Sequence, residues 1–166
     1  MIAIYTFYSQ PKIGLLYLRE YNGFLTDLRF ISKDEMIQIE AKDPNGKKED
    51  NVLKEAINQL DEYFIGKRKT FDLPLQPNGT IFMQSVYNAL LKVPYGKTAS
   101  YKDIAIAIGN DKACRAVGNA NNKNPIAIII PCHRIIGQNG KLVGYAGGLE
   151  IKKALLSLEN SNNNYR

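Results

Sequence analysis

The sequence predicts a mixed α/β (α+β) protein: a strand-rich N-terminal domain with a helix, followed by a mostly helical C-terminal domain containing a helix-turn-helix. Three observations carry that expectation. Residues 2–30 hold three runs rich in β-branched and aromatic side chains, separated by turn signals. From about residue 80 onward, apolar residues recur at helical spacing between capping residues. Charge divides the chain at the same place. Residues 1–79 carry 11 Lys+Arg against 12 Asp+Glu, a net of −1; residues 80–166 carry 11 against 4, a net of +7. Domains are therefore expected at 1–76 and 80–166, with the first in a supporting role.

The strands are expected at Ile2–Tyr8, Ile13–Arg19 and Phe24–Phe30, with Asn22-Gly23 as a hairpin turn between the last two. Lys42 to Asp50, with Pro44-Asn45-Gly46, reads as a loop. Val52, Ala56, Leu60 and Phe64, with Ile57 beside them, form an i, i+4 stripe that predicts an amphipathic helix over Asp50–Ile65. Phe71–Leu75 is a short extended piece. Gln76–Thr80 is a linker, and Thr80 caps a helix over Ile81–Val93. Ser100-Tyr101-Lys102-Asp103 matches a capping box opening a helix over Tyr101–Ile108, which Gly109 ends. Asn110 or Asp111 caps the next helix, Lys112–Asn121. That pair makes the helix-turn-helix, with its second helix as the one presented to DNA. Gln138-Asn139-Gly140 is a hairpin signal. A last helix over Leu149–Glu159 buries Ile151, Leu155 and Leu158, and Asn160–Arg166 is a frayed polar tail.

The stretch Ile128–Ile136 reads as a buried apolar strand that Pro131 interrupts, because proline cannot donate to a ladder. Beside that break stand Cys132 and His133, the only histidine of the chain. Taken alone, Cys132 suits a small core position. A titratable ring and a guanidinium directly after it are costly to bury without a task. Neighbours on a regular strand face opposite ways, so Cys132 and His133 cooperate only at a bend or through a water. Two cysteines and one histidine cannot complete a tetrahedral zinc site, so no metal is expected. No apolar run reaches the length of a bilayer span and no signal-peptide pattern opens the chain, so a soluble, cytoplasmic protein is expected. The basic half suits a polyanionic partner such as nucleic acid, or simply a soluble basic surface. On the second helix, Ala116, Gly118 and Ala120 allow close approach either to a neighbouring helix or to a groove.

Pro131-Cys132-His133-Arg134, preceded by Arg115-Ala116-Val117-Gly118 and Asn124-Pro125 and followed by Gly144-Tyr145-Ala146-Gly147-Gly148, resembles the O6-alkylguanine-DNA alkyltransferase family from about Thr80 to Glu159. The resemblance implies a monomeric DNA repair protein of the cytoplasm. It moves the alkyl group of O6-alkylguanine irreversibly onto its own cysteine, once per molecule and with no cofactor. The partner implied is double-stranded DNA bound through the minor groove, with the damaged nucleotide flipped out. Cys132 is then the acceptor, His133 activates it through a water, and Glu159 orients His133. Tyr101 donates a hydrogen bond to the guanine. Arg115 fills the gap left by the flipped base, while Ala116 and Gly118 approach the groove. Backbone groups of Cys132 and Ile135, with Tyr145 and Ala146, line the pocket, and Asn124 ties the turn before the active-site strand.

Two positions depart from the family pattern. Asn119 stands where many members have Gly, and Ala146 where others carry Ser, so a hydroxyl contact to the substrate is missing there. Two other readings compete. A non-repairing recogniser of alkylguanine would lack the acceptor cysteine, which is present here. A Cys–His hydrolase is opposed by the adjacency of the two residues and by the absence of an obvious oxyanion loop.

Overall fold

Asn22 and Gly23 both take positive φ, 54° and 82°, the backbone that a two-residue hairpin turn requires. A computed structural model describes residues 3–163, and in it that turn joins the second and third strands of an antiparallel sheet. Its strands are β1 (Ile4–Gln10), β2 (Gly14–Tyr21) and β3 (Phe24–Ile31), in the order β1-β2-β3. Ile2 of the expected first strand lies outside the described residues. The chain forms two compact units, residues 1–77 and 78–166.

In the first unit the strand period of two puts Tyr8, Leu16, Leu18 and Leu28 on one buried face. Helix α2 (Asn51–Phe64) packs on the sheet, and the Tyr8 hydroxyl donates to Asp61 Oδ1 at 2.7 Å. The residues that α2 buries are Leu53, Ala56, Gln59, Leu60 and Tyr63. Val52, Ile57 and Phe64 of the expected stripe are only half-buried, because the inward direction passes about one residue away from them. Gln59 holds the following extended segment with both ends of its amide. Its Nε2 donates to the Asp72 carbonyl at 2.9 Å and its Oε1 accepts from the Asp72 N–H at 2.8 Å. Helix α1 (Lys33–Lys42) was not legible from periodicity, since it buries no residue. What starts it is the Ser32–Glu35 capping box.

The second unit is built on α3 (Ile81–Leu90), α4 (Tyr101–Ala107), α5 (Cys114–Asn122) and α6 (Leu149–Asn163). Thr80 caps α3, and the Ser100–Asp103 box caps α4. Gly109, at φ 79°, ends the α4 turn. Neither Asn110 nor Asp111 caps α5, which starts later, after Ala113, without any side-chain cap. Asn110 instead closes a turn by accepting from Ala113 N–H at 3.0 Å, and Asp111 pairs with Lys102 at 3.7 Å. Val86, Leu90, Ile104, Val117, Ala120 and Leu155 form the core of this unit.

The expected apolar strand is not a strand. Residues 126–130 form a buried turn, with Ile130 N–H donating to the Ile126 carbonyl at 3.1 Å and Ile128 at φ 70°. Asn124 replaces the missing ladder. Its Oδ1 accepts from Ile126 N–H at 3.1 Å and its Nδ2 donates to the Ile130 carbonyl at 2.8 Å. Ile126, Ile128 and Ile130 are fully buried, worth roughly 1.5–3 kcal/mol each, which offsets about 1–3 kcal/mol for a β-branched residue held at positive φ. After Pro131, Cys132–Arg134 form one 3-10 turn, and β5 (Ile135–Ile136) pairs in parallel with β4 (Ala99–Ser100). Turn Gln138–Gly140 is present, but no strand follows it; the carbonyls of Val143 and Gly144 bond to side chains instead. Helix α6 continues past Glu159 to Asn163, so Asn160–Asn163 are helical, and the rest of the expected tail lies outside the described residues. Its buried face carries Lys152, Leu155 and Glu159, with Ile151 and Leu158 half-buried. No described helix is long and apolar enough to cross a membrane.

Candidate active site

Pro131 and the 3-10 turn after it decide how Cys132 and His133 are placed. A tight turn removes the opposite-face constraint of a strand, and both side chains are buried: Cys132 is 4% exposed and His133 0%. Glu159 reaches the same place from the last turns of α6 and is also 0% exposed. His133 Nε2 lies 2.7 Å from Glu159 Oε1. The carboxylate accepts, so Nε2 carries the hydrogen and Nδ1 presents a lone pair. That Nδ1 is buried and has no hydrogen-bond partner in the protein among the described residues.

Several groups fix this pair. The Arg134 guanidinium bonds both oxygens of Glu159, through Nε at 2.9 and 3.2 Å and Nη2 at 2.9 Å, and its Nη1 donates to the Val93 carbonyl at 2.7 Å. Gly96 N–H donates to Glu159 Oε2 at 3.1 Å. Burial alone would raise the Glu159 pKa, but its bonds to His133 and Arg134 prevail and hold it at about 2. Burial lowers the pKa of His133, against the pull of Glu159. Burial also raises that of the Cys132 thiol, against bonds from Asn124 and the backbone and the charge of Lys152. The resting site is therefore a neutral thiol beside a neutral imidazole and an ionised carboxylate.

Hydrogen bonds tie the 143–148 loop to α4 and to α6. Because β4 pairs with β5, Tyr101 at the start of α4 is brought beside the Cys132 turn. The Tyr101 hydroxyl donates to the Val143 carbonyl at 3.2 Å, and burial raises its pKa. Tyr145 is half-buried in the same loop, its pKa raised well above the usual value by burial and then by Cys132 and Glu159; Ala146 beside it is exposed. Ile135 is buried, with its carbonyl bonded to Lys152 Nζ. The carbonyl of Cys132 accepts from Asn121 Nδ2 at 3.4 Å. Arg115 and Ala116 stand exposed on α5 and Gly118 is half-buried. A Cβ at Gly118 would lie 3.7 Å from the Tyr101 ring, an ordinary contact, so packing within the unit does not require glycine there.

Three residues of this site were missed from sequence: Arg134 as the partner of Glu159, Asn121, and the buried Lys152. Lys152 also donates to the carbonyls of Val143 at 2.9 Å and Gly144 at 3.4 Å, pinning the loop to α6. Its signal was a Lys at i, a Leu at i+3 and a Glu at i+7 on the one apolar side of a helix, which places two charges on the inward face. No group of three or more His, Cys, Asp or Glu suited to a metal ion occurs among the described residues.

Two family models match the chain: "6-O-methylguanine DNA methyltransferase, ribonuclease-like domain" over residues 3–77, and "6-O-methylguanine DNA methyltransferase, DNA binding domain" over residues 81–161. A methylated-DNA–protein-cysteine methyltransferase of Methanosarcina barkeri is 51% identical over 92% of this chain and 95% of its own length. This chain belongs to the 6-O-methylguanine DNA methyltransferase family. Another family member, from Methanosarcina mazei, is 56% identical over 95% of this chain and 98% of its own. Among solved members, the Mycobacterium tuberculosis OGT in complex with DNA superposes with a TM-score of 0.82 at 42% identity, covering 98% of this chain and 94% of that one. The O6-methylguanine DNA methyltransferase of Methanococcus jannaschii gives 0.71 at 26% identity, with 93% of each chain covered. Residues 81–161, the DNA-binding match, contain every member of the site described above.

Proposed function

We propose that this protein repairs O6-alkylguanine in double-stranded DNA by moving the alkyl group onto Cys132, once per molecule. The observation that carries the reading is the buried Cys132–His133–Glu159 arrangement inside the segment that matches the family's DNA-binding domain. Its relatives are methylated-DNA–protein-cysteine methyltransferases, and one close structural neighbour was solved with DNA.

His133 Nδ1 takes the Cys132 proton through a bridging water, and Glu159 steadies the imidazolium that forms. The thiolate attacks the alkyl carbon, the new S–C bond forms, and the C–O6 bond breaks with its electron pair left on guanine. Tyr101 gives up its bond to Val143 and donates to the guanine ring, which spreads that charge, the logic of an oxyanion hole. The proton returns from His133 to guanine, so the products are unmodified guanine and a Cys132 thioether. The thioether is a stable bond, so the alkyl group stays on sulfur and the protein is consumed. A thiol that is neutral at rest fits this scheme, since the thiolate is made only when a base is at hand.

Chemistry at O6 requires the nucleotide to leave the stack. Arg115, exposed on α5, fills the gap, and Ala116 and Gly118 permit the approach of α4–turn–α5 to a narrow minor groove. Residues 80–166 act as the DNA-binding and transfer domain, residues 1–76 support them, and the protein works as a monomer in the cytoplasm. The test is intact mass after incubation with duplex DNA carrying O6-methylguanine. One methyl group per molecule, mapped to Cys132 and not Cys114, is expected; sustained turnover or methyl on Cys114 alone rules the reading out.

A further inference from the structure

The contacts of Glu159 include a permanent cation, Arg134, beside the neutral histidine. Donors to the carboxylate include His133 Nε2, Arg134 Nε and Nη2, and the Gly96 N–H. Arg134 is 6% exposed, its guanidinium carbon lies 5.7 Å above the Tyr95 ring centre, and Nη1 is held by the Val93 carbonyl. It is therefore fixed in place by three separate contacts. An arginine does not lose its proton in a protein. With Arg134 and Glu159 both ionised, this hydrogen-bonded trio is neutral only while His133 is neutral, and the buried Lys152 adds a further positive charge that opposes its protonation. Take Arg134 away and Glu159 loses the guanidinium that shares its charge, so among the nearby charges Lys152 alone still opposes its pull on the His133 proton.

We propose that Arg134 is a positioning residue that keeps His133 unprotonated, by occupying both carboxylate oxygens of Glu159 with a permanent cation and so leaving His133 Nδ1 as a base for Cys132. The use made of that base rests on the alkyl-transfer reading above; the proton balance itself does not. The charged and titratable groups around His133 all bear on it. Glu159 on α6 pulls toward protonation. Lys152 on α6 and Arg134 on the 3-10 turn push against it, and Cys132 and Tyr145 are neutral at rest. Tyr95, stacked under Arg134, is also neutral, its pKa raised chiefly by burial. A bare Glu–His pair would draw the proton to the ring, as an opposite charge within a few ångströms does. Arg134 spends the carboxylate's charge elsewhere, through the bidentate geometry that suits a guanidinium and not an ammonium.

His133 is the only histidine in the chain, so imidazole nitrogen NMR of the intact protein reads this one ring without assignment. The variants are Arg134→Gln and Arg134→Lys, each checked for folding by circular dichroism, with the acid limb of the single-turnover rate on the free base O6-benzylguanine measured beside the titration. In R134Q the His133 titration moves up by about one pH unit or more, the size expected when an ion pair is left unshared, and the acid limb moves with it. In R134K the charge remains but the fork is lost, and a smaller upward displacement is expected; this variant decides the matter if R134Q does not fold. A His133 titration that stays at the parent value in the folded variants overturns the proposal, leaving Arg134 with a packing role. If the parent protein takes up no methyl group from duplex DNA carrying O6-methylguanine, the alkyl-transfer reading fails, while the NMR arm still decides what Arg134 does.

Discussion

Arg115 stands exposed among small neighbours on α5, and its proposed task separates flipping from chemistry. Unstacking costs a few kcal/mol only when the base lies in a duplex. Arg115→Ala is expected to slow repair of duplex DNA by tenfold or more, at about 1.4 kcal/mol per tenfold, while O6-benzylguanine alkylates Cys132 at nearly the parent rate. Equal losses on both substrates would mean that Arg115 supports the pocket. A pure phosphate contact would leave the rate normal at saturating DNA and make the salt dependence of binding shallower. At this scale the sequence was legible where chemistry forces rare residues together. Cys132, the single histidine and a glycine-rich loop stand out in a chain of this length. Arg134 and Lys152 did not, because a lone cation in a string reads as a surface charge until its inward direction is known.

Among the elements, the 124–136 segment shows what pattern reading can and cannot see. A run of β-branched residues satisfies a strand and a buried turn equally well, and only the placement of backbone partners distinguishes them. Here the Asn124 side chain supplies those partners, and Pro125 and Pro131 flank the run. Asn124→Ala strands the Ile126 N–H in the core at about 1–3 kcal/mol, while the Ile130 carbonyl keeps its bond from Cys132 N–H at 2.8 Å. A drop of several degrees or more in melting temperature is expected, with transfer slowed because Cys132 follows directly. An unchanged melting temperature would show that the turn holds without it. The three strands and α2 were legible because turn residues and an amphipathic stripe mark them; α1, with no buried residue, is visible only through its cap. The late start of α5 was hidden because Asn110 and Asp111 look like caps and are spent on a turn and an ion pair.

At the scale of the whole molecule, the buried His133–Glu159–Arg134 group ties stability to acid. His133 has a lowered folded pKa, so the unfolded chain takes up its proton first, and stability begins to fall as pH drops through about 6.5. Glu159 is depressed to about 2 from 4.5, so its contribution is complete above 4.5 and is lost as pH falls from there toward 2. Melting temperature is expected to decline in both windows. His133→Phe should flatten the upper one and Glu159→Gln the lower. A parent curve level from pH 7 to 4 would show that the histidine is not held neutral in the fold.

The turn at residues 126–130 has one more consequence, and it concerns the chain when it is not folded. Ile-Ala-Ile-Ile-Ile has high β-propensity, no charge and no internal proline, which is the composition of a fibril-forming zipper segment. In the native state Ile128 at positive φ and the Asn124 clamp bend it out of any shape that another chain could pair with. Pro125 and Pro131 act as gatekeepers at its two ends. Refolding from denaturant should therefore lose yield steeply as protein concentration rises, with light scattering growing in step. Ile129→Lys, on a nearly buried residue of that run, should suppress the scattering even though it costs native stability, which separates self-association of this segment from simple failure to fold.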